Sequence, residues 1–139
     1  MIGDGSFNSI TGFSISSLPS LEIIDIGNDC FNAFSSQVTF NDFPELLSLK
    51  IGNNSFYNED SNTTINRPFS INNNSKLLSI EIGEYSFGNY NGDFKVMSNP
   101  KLQSLTIGSI ENESNNFMYV RKIYIEGIEI YSIGLNSRS

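Results

Sequence analysis

The 139-residue chain contains no histidine and a single cysteine, Cys30. Histidine is the commonest general base and a frequent metal ligand, so the usual residue of acid–base and metal chemistry is missing. One cysteine excludes an internal disulfide and any site built from paired cysteines. The composition therefore favours a noncatalytic function, and we expect no cofactor and no metal.

Basic residues and long apolar runs are also scarce. Eight Lys and Arg stand against 15 Asp and Glu, which gives a net charge of -7. Proteins that bind nucleic-acid phosphates carry clustered basic residues, so we expect no nucleic-acid partner. No apolar run reaches the ~18 to 20 residues that cross a bilayer, and the opening MIGDGSFNSITGF lacks the regions of a signal peptide. The sequence predicts no membrane insertion and does not fix a compartment.

One phrase, in contrast, is repeated along the chain. It reads LEIIDIGNDCF from Leu21, LLSLKIGNNSF from Leu46 and LLSIEIGEYSF from Leu77. The same L-x-x-[IL]-x-I spacing precedes each internal glycine of the phrase, and a phenylalanine follows four residues after the first four glycines. These anchor glycines are Gly3, Gly27, Gly52, Gly83, Gly108 and, less regularly, Gly134.

Each unit also carries a second short segment in which apolar residues alternate. Period-2 alternation is typical of strands, so each unit is predicted to supply two. Neighbouring hairpin strands run in opposite directions, whereas stacked coils place every copy of the phrase in parallel, and the pattern therefore predicts a solenoid with two parallel sheets and little or no α-helix. The second segments are Phe13–Ile15, Val38–Phe40, Phe69–Ile71, Phe94–Val96 and Ile123–Ile125.

The phrase L-x-x-[IL]-x-I-G-x-x-S-F resembles the leucine-rich repeat, and its IGxxSF ending is similar to the BspA-like subclass found on microbial surfaces. The resemblance covers about residues 2–134 and implies a right-handed superhelix with a protein-binding or adhesion role at the cell surface. It implies one domain over residues 1–139 with about five repeats, near 2–20, 21–45, 46–76, 77–101 and 102–134. Because the chain opens inside a repeat, we expect a fragment of a longer array or self-association through an uncapped end.

Some positions depart from the repeat, and others have a structural explanation rather than a functional one. Asp29 and Tyr85 replace its usual asparagine, so no continuous asparagine ladder is expected there, and Asn112 stands where the fifth phenylalanine belongs. Cys30 occupies the slot of a small buried residue and is predicted to be a packed thiol rather than a nucleophile. The anchor glycines are expected at a tight or positive-φ corner. In the long insertion, the adjacent Glu59 and Asp60 lack the spacing of a calcium loop.

The register also predicts a polar, mildly acidic surface on one sheet. Residues 25, 50, 81 and 106 fall at equivalent places on successive strands, where opposite charges support correct pairing, and this structural role is favoured over a ligand-reading one. The strand face covers only about 300 Å², against about 800 Å² that each partner of a standard interface buries. The candidate partner-binding face consists of Glu22, Asp25, Asn28, Lys50, Asn53, Glu81, Glu84, Gln103, Thr106 and Ser109.

Two other functions fit the same pattern. Some stacked β-coils are carbohydrate-active enzymes, and Glu22 with Asp25, or Glu81 with Glu84, could supply their paired acids. A structural spacer within a large surface protein is the other alternative. The short loops and scattered charges favour a noncatalytic module that binds a protein.

Overall fold

The computed structural model describes residues 1–33, 36–57, 67–88, 90, 92–109, 116, 122–126 and 132–133, the last two by their backbone alone. Within these ranges the chain forms nine strands and no α-helix, which confirms the predicted β-rich class. The strands are β1 (Ile23–Ile26), β2 (Val38–Thr39), β3 (Ser48–Ile51), β4 (Phe69–Asn72), β5 (Ser79–Ile82), β6 (Phe94–Met97), β7 (Ser104–Ile107), β8 (Ile123–Ile125) and β9 (Ser132–Ile133).

The strands build two parallel sheets. Sheet A has the order β1-β3-β5-β7-β9, and sheet B has the order β2-β4-β6-β8. Successive strands along the chain alternate between the sheets, so each turn adds one strand to sheet A and the next to sheet B. The predicted solenoid with two parallel sheets is confirmed.

The core lies between the sheets, and the register of the parallel strands aligns its side chains. Ile24 pairs with Leu49, Leu49 with Ile80, and Ile80 with Leu105, so each inward position forms a file along the stack. All four are buried, because alternate side chains of a strand point to the same face. The first leucines of the phrase form a second file, with Leu21 half-buried and Leu46, Leu77 and Leu102 buried.

The phenylalanines of the phrase form a stack beside these files. Phe31 lies 4.7 Å from Phe56 between ring centroids, and Phe56 lies 4.9 Å from Phe87, with interplanar angles of 6° and 5°. All three are fully buried. Phe7 stacks on Phe31 at 5.3 Å but keeps half of its surface exposed. Each turn thus covers the ring of the turn before it.

The anchor glycines were predicted to lie at a tight or positive-φ corner, and the positive φ is absent at most of them. Among the described anchors, only Gly108 has a positive φ, of 68°. At Gly52 the reason for glycine is space, since an added Cβ would lie 2.6 Å from the carbonyl carbon of Gly27 in the preceding turn. The positive-φ corners fall two and four residues later, as at Asn54 (55°) and Phe56 (56°). The glycines therefore allow backbones of successive turns to approach.

The first turn also differs from the prediction. Phe13–Ile15 forms no strand, although its two apolar residues pack half-buried against the core. On the other sheet, the first turn contributes one parallel bridge, between Ile2 and Ile26. The remaining four second segments overlap β2, β4, β6 and β8, as predicted. Asn112, Glu59 and Asp60 lie outside the described residues.

Candidate functional site

The predicted face is the outer surface of sheet A. Asp25 pairs with Lys50, Lys50 with Glu81, and Glu81 with Thr106, so the predicted row is in register. Within the described ranges the one ion pair is Lys76 with Glu45, which lies outside this row. The register therefore brings these charges together without a closed salt bridge among them.

The residues directly after the anchor glycines lie on the surface and also connect successive turns by hydrogen bonds. The Asn28 backbone N–H donates to Asp4 Oδ1 at 2.8 Å, and the Asn53 N–H donates to Asn28 Oδ1 at 2.8 Å. The Glu84 N–H continues the ladder to Asn53 Oδ1 at 2.9 Å. The side-chain oxygens of Asn28 and Asn53 therefore link successive turns. Gln103 is exposed and Ser109 half-buried on the same side of the solenoid.

Three exposed apolar residues on this face were missed by the sequence analysis. Ile23 is 58 % exposed, Leu47 38 % and Leu78 37 %, and these three residues, which occupy two adjoining rows of the face, are called the apolar strip. Leu47 and Leu78 are adjacent in one row, since the Leu78 N–H donates to the Leu47 carbonyl at 2.9 Å. The signal in the sequence is the doubled leucine of LLSLKIG and LLSIEIG, whose second member has no inward position to fill.

A hollow of about 400 Å³ opens where the face begins. Asp4, Asp25 and Lys50 contribute charged side chains to its wall, and Gly27 and Asn28 lie between them. The hollow continues the polar row towards the first turn. The face is therefore mixed, with an apolar strip on one side and charged groups on the other.

The residues at the position of Cys30 in successive turns form a buried hydrogen-bond ladder. Cys30 Sγ donates to the Gly3 carbonyl at 3.2 Å, Ser55 Oγ to Gly27 O at 2.8 Å and Ser86 Oγ to Gly52 O at 2.7 Å. Cys30 is fully buried, so its assignment as a packed thiol is confirmed. The fourth step comes from Asn116, whose Nδ2 donates to Gly83 O at 2.7 Å. The larger amide thus takes the place of the serine in that turn.

A second buried ladder joins the turns near the ends of the sheet B strands. The Phe43 N–H donates to Asn74 Oδ1 at 3.0 Å, and the Asn74 N–H donates to Asn99 Oδ1 at 3.0 Å. Each side-chain amide also donates a hydrogen bond, from Asn74 Nδ2 to Phe40 O at 2.9 Å and from Asn99 Nδ2 to Ile71 O at 2.8 Å. The buried asparagines are thus satisfied, and they lie away from the position at which the leucine-rich repeat places its own.

Arg67 and Tyr90 are the bulky polar residues inside the solenoid. Arg67 is 1 % exposed, and its Nε, Nη1 and Nη2 have no hydrogen-bond partner within the described chain. The Tyr90 hydroxyl donates to the Ser36 carbonyl at 3.2 Å. Burial raises the pKa of Tyr90 well above its ordinary value, while the charge of Arg67 acts in the opposite direction. Tyr90 is therefore neutral at any physiological pH.

Replacing Arg67 with methionine is expected to raise the free energy of unfolding by about 1 to 4 kcal/mol, because a buried charge without acceptors costs more than an apolar chain of similar length. Urea denaturation followed by circular dichroism measures the change. Arg67→Lys is the control, since it keeps the buried charge and should give no gain. A methionine variant that unfolds more easily than the wild type would show that the guanidinium is compensated.

Among the residues that the structure describes, no group of three or more Cys, Asp or Glu side chains is placed to hold a metal ion. In the same residues, no helix has the length and apolar character needed to cross a membrane.

Comparison of the chain with protein-family models, with curated proteins and with solved structures finds no match. The class that the fold defines is a β-solenoid with two parallel sheets. The resemblance to leucine-rich repeats depends on the repeated phrase alone.

Proposed function

We propose that the chain is a noncatalytic protein-binding module of the leucine-rich-repeat type, BspA-like, which acts in adhesion at a cell surface. The phrase supports the assignment, because its L-x-x-[IL]-x-I segment coincides with one strand of sheet A in each turn, at β1, β3, β5 and β7. The binding surface is the outer face of sheet A. Self-association is a further prediction, for which the half-exposed ring of Phe7 offers a contact.

The observation that carries the proposal is the apolar strip within a charged surround. Protein interfaces combine a few apolar anchors with a polar rim, and most of the binding energy comes from the anchors. The strip supplies Ile23, Leu47 and Leu78, the serines Ser48 and Ser79 lie beside it, and the charged row of Asp25, Lys50 and Glu81 follows on the same face. The rim carries four carboxylates, Glu22, Asp25, Glu81 and Glu84, against the one ammonium of Lys50, which favours a partner with a basic surface.

The double variant Leu47→Gln, Leu78→Gln tests this surface. Glutamine already occupies the equivalent place in the next turn, where the Gln103 N–H donates to Leu78 O at 2.9 Å, so the fold should accept it. The labelled chain would be applied to an array of purified secreted proteins and membrane-protein ectodomains. We expect saturable binding to at least one basic protein, and binding at least about tenfold weaker for the double variant.

Leu18→Gln is the matched control. Leu18 is also exposed, but it lies in the connecting segment before β1 rather than on the sheet face. Its replacement should therefore leave binding unchanged. Binding that survives the double variant would move the interface away from the strip. A structural spacer would bind no array member saturably, and turnover of a polysaccharide panel would favour the carbohydrate-active enzyme.

A further inference from the structure

Sheet B has an open edge at β2, between the first and second turns. The Val38 N–H donates to Pro68 O at 3.0 Å and the Phe40 N–H donates to Ser70 O at 2.9 Å, both on the β4 side. In a parallel sheet, alternate residues of a strand bond to opposite neighbours. The backbone N–H and C=O groups of Thr39 are therefore directed towards the first turn.

The first turn does not pair with this edge. Phe13–Ile15 has the same three residues, FSI, as the start of β4, yet in the described ranges no backbone hydrogen bond joins it to β2. At one end the two turns are tied together, since Ser36 Oγ donates to the Thr11 carbonyl at 3.2 Å. Beyond that point they separate. The sequence pattern of a strand is present in the first turn, but the ladder is not formed.

A cleft of about 620 Å³ occupies the separation. One wall is the extended segment 12–16, and the other consists of Ser36, Gln37, Thr39, Asn41 and Asp42. This volume falls within the ~300 to 1,000 Å³ typical of ligand sites. The cleft lies between two turns of the chain.

The chemistry of the cleft selects an extended polypeptide. An unpaired strand edge presents a row of backbone donors and acceptors that another strand matches, and this pairing supplies affinity with little dependence on side chains. The side chains that line the cleft are hydroxyls, amides and the two apolar groups of Phe13 and Ile15, and Asp42 is the one charged residue among the described lining residues. A negatively charged wall residue without a cation beside it favours a neutral or basic segment.

We propose that the β2 edge binds an extended peptide segment, uncharged or basic, which adds to sheet B as an extra strand between β2 and residues 12–16. The segment bonds to the backbone N–H and C=O groups of Thr39 and excludes water from the cleft. The site is on sheet B and does not involve the apolar strip of sheet A. Its failure would therefore leave the proposed function standing, and the reverse also holds.

The test uses the full chain labelled with ¹⁵N and a capped peptide that copies residues 67–73, RPFSINN, which has the alternation of a strand and one positive charge. We expect the peptide to shift the amide resonances of residues 37–41 and to slow hydrogen exchange at Thr39 by at least about tenfold. The same peptide methylated on its backbone nitrogens cannot form the ladder and should bind about tenfold more weakly or worse.

Two variants locate the contact. Thr39→Pro removes the one N–H of β2 that faces the cleft, and an edge strand accepts proline where its N–H is unpaired, so the fold should persist while peptide binding weakens by at least about tenfold. Thr39→Ala keeps the N–H and should bind as the wild type does. If the proline variant unfolds, the hydrogen-exchange and methylated-peptide measurements on the wild-type chain still test whether the peptide binds at the β2 edge.

Three results would overturn the proposal. One is slow exchange at Thr39 without peptide, which would mean that the first turn closes onto β2 by itself. Another is equal binding of the methylated and unmethylated peptides. The last is the absence of resonance shifts at residues 37–41 with millimolar peptide.

Discussion

Replacing Phe56 with alanine is expected to lower the free energy of unfolding by about 3 to 5 kcal/mol, the range for a large aromatic removed from a closed core. Phe56 is fully buried and stacks on both sides, 4.7 Å from Phe31 and 4.9 Å from Phe87. Its removal leaves a cavity in the middle of the stack and interrupts two aromatic pairs. Since a domain of this size has only about 5 to 15 kcal/mol of stability, the variant is expected to lose a large part of it.

The measurement is urea denaturation followed by circular dichroism in the strand region, with Phe7→Ala as the matched control. Phe7 occupies the same place in the first turn, but half of its surface is exposed and Phe31 covers one face of its ring. The control should therefore lose about half as much as Phe56→Ala or less, because the exposed half of the Phe7 ring gains nothing from burial, although the ring also lies 6.4 Å from Phe13. Equal losses at the two positions would contradict the stack as a cooperative core element.

The core of this solenoid could be predicted from the sequence because its inward residues repeat with a fixed spacing. Ile24, Leu49, Ile80 and Leu105 lie at the same distance before their glycines, so a single strand assignment places all four in one file. The alternation is local, and a parallel stack converts it directly into register. The same reasoning placed Asp25, Lys50, Glu81 and Thr106 in one row.

The polar ladders between turns were harder to predict, because a residue type does not reveal which atom of the next turn it meets. Asn74 and Asn99 are buried, whereas Asn53 is exposed, and the sequence around them gives no clear sign of the difference. Their roles depend on carbonyl positions in the adjacent turn. Asn116 shows the same dependence, since its longer amide reaches the Gly83 carbonyl from a turn whose spacing departs from the others.

The apolar strip was missed for a different reason. The phrase was interpreted through its inward leucines, and the second leucine of each doublet has no assigned place in that pattern. The same position holds Glu22 and Gln103 in the other two turns, whereas each core position is apolar in all four, so this mixed occupancy was the available sign of exposure. The exposed fraction of each side chain identifies the strip.

Replacing Gly52 with alanine is expected to destabilise the protein by about 3 kcal/mol or more, at the upper end of the cost of overpacking a closed core. An added Cβ at Gly52 would lie 2.6 Å from the carbonyl carbon and oxygen of Gly27 and 2.7 Å from the backbone N of Asn28. All three are backbone atoms, so no side-chain rotation relieves the overlap. The second and third turns would have to separate.

Such a separation would weaken several bonds together, because the Gly52 N–H donates to Ile26 O at 2.8 Å and the adjacent ladder joins Ser55 Oγ to Gly27 O. Gly3→Ala is the matched control, since it is the same anchor in the first turn and an added Cβ would meet no atom within 4 Å. Because φ at Gly3 is not positive, alanine there should change stability by less than about 1 kcal/mol. Urea denaturation of the two variants side by side measures the difference. Similar stabilities of the two variants would mean that the close approach of the turns does not require glycine. A large loss of stability in Gly52→Ala alone would show that the repeated glycine sets the spacing between turns.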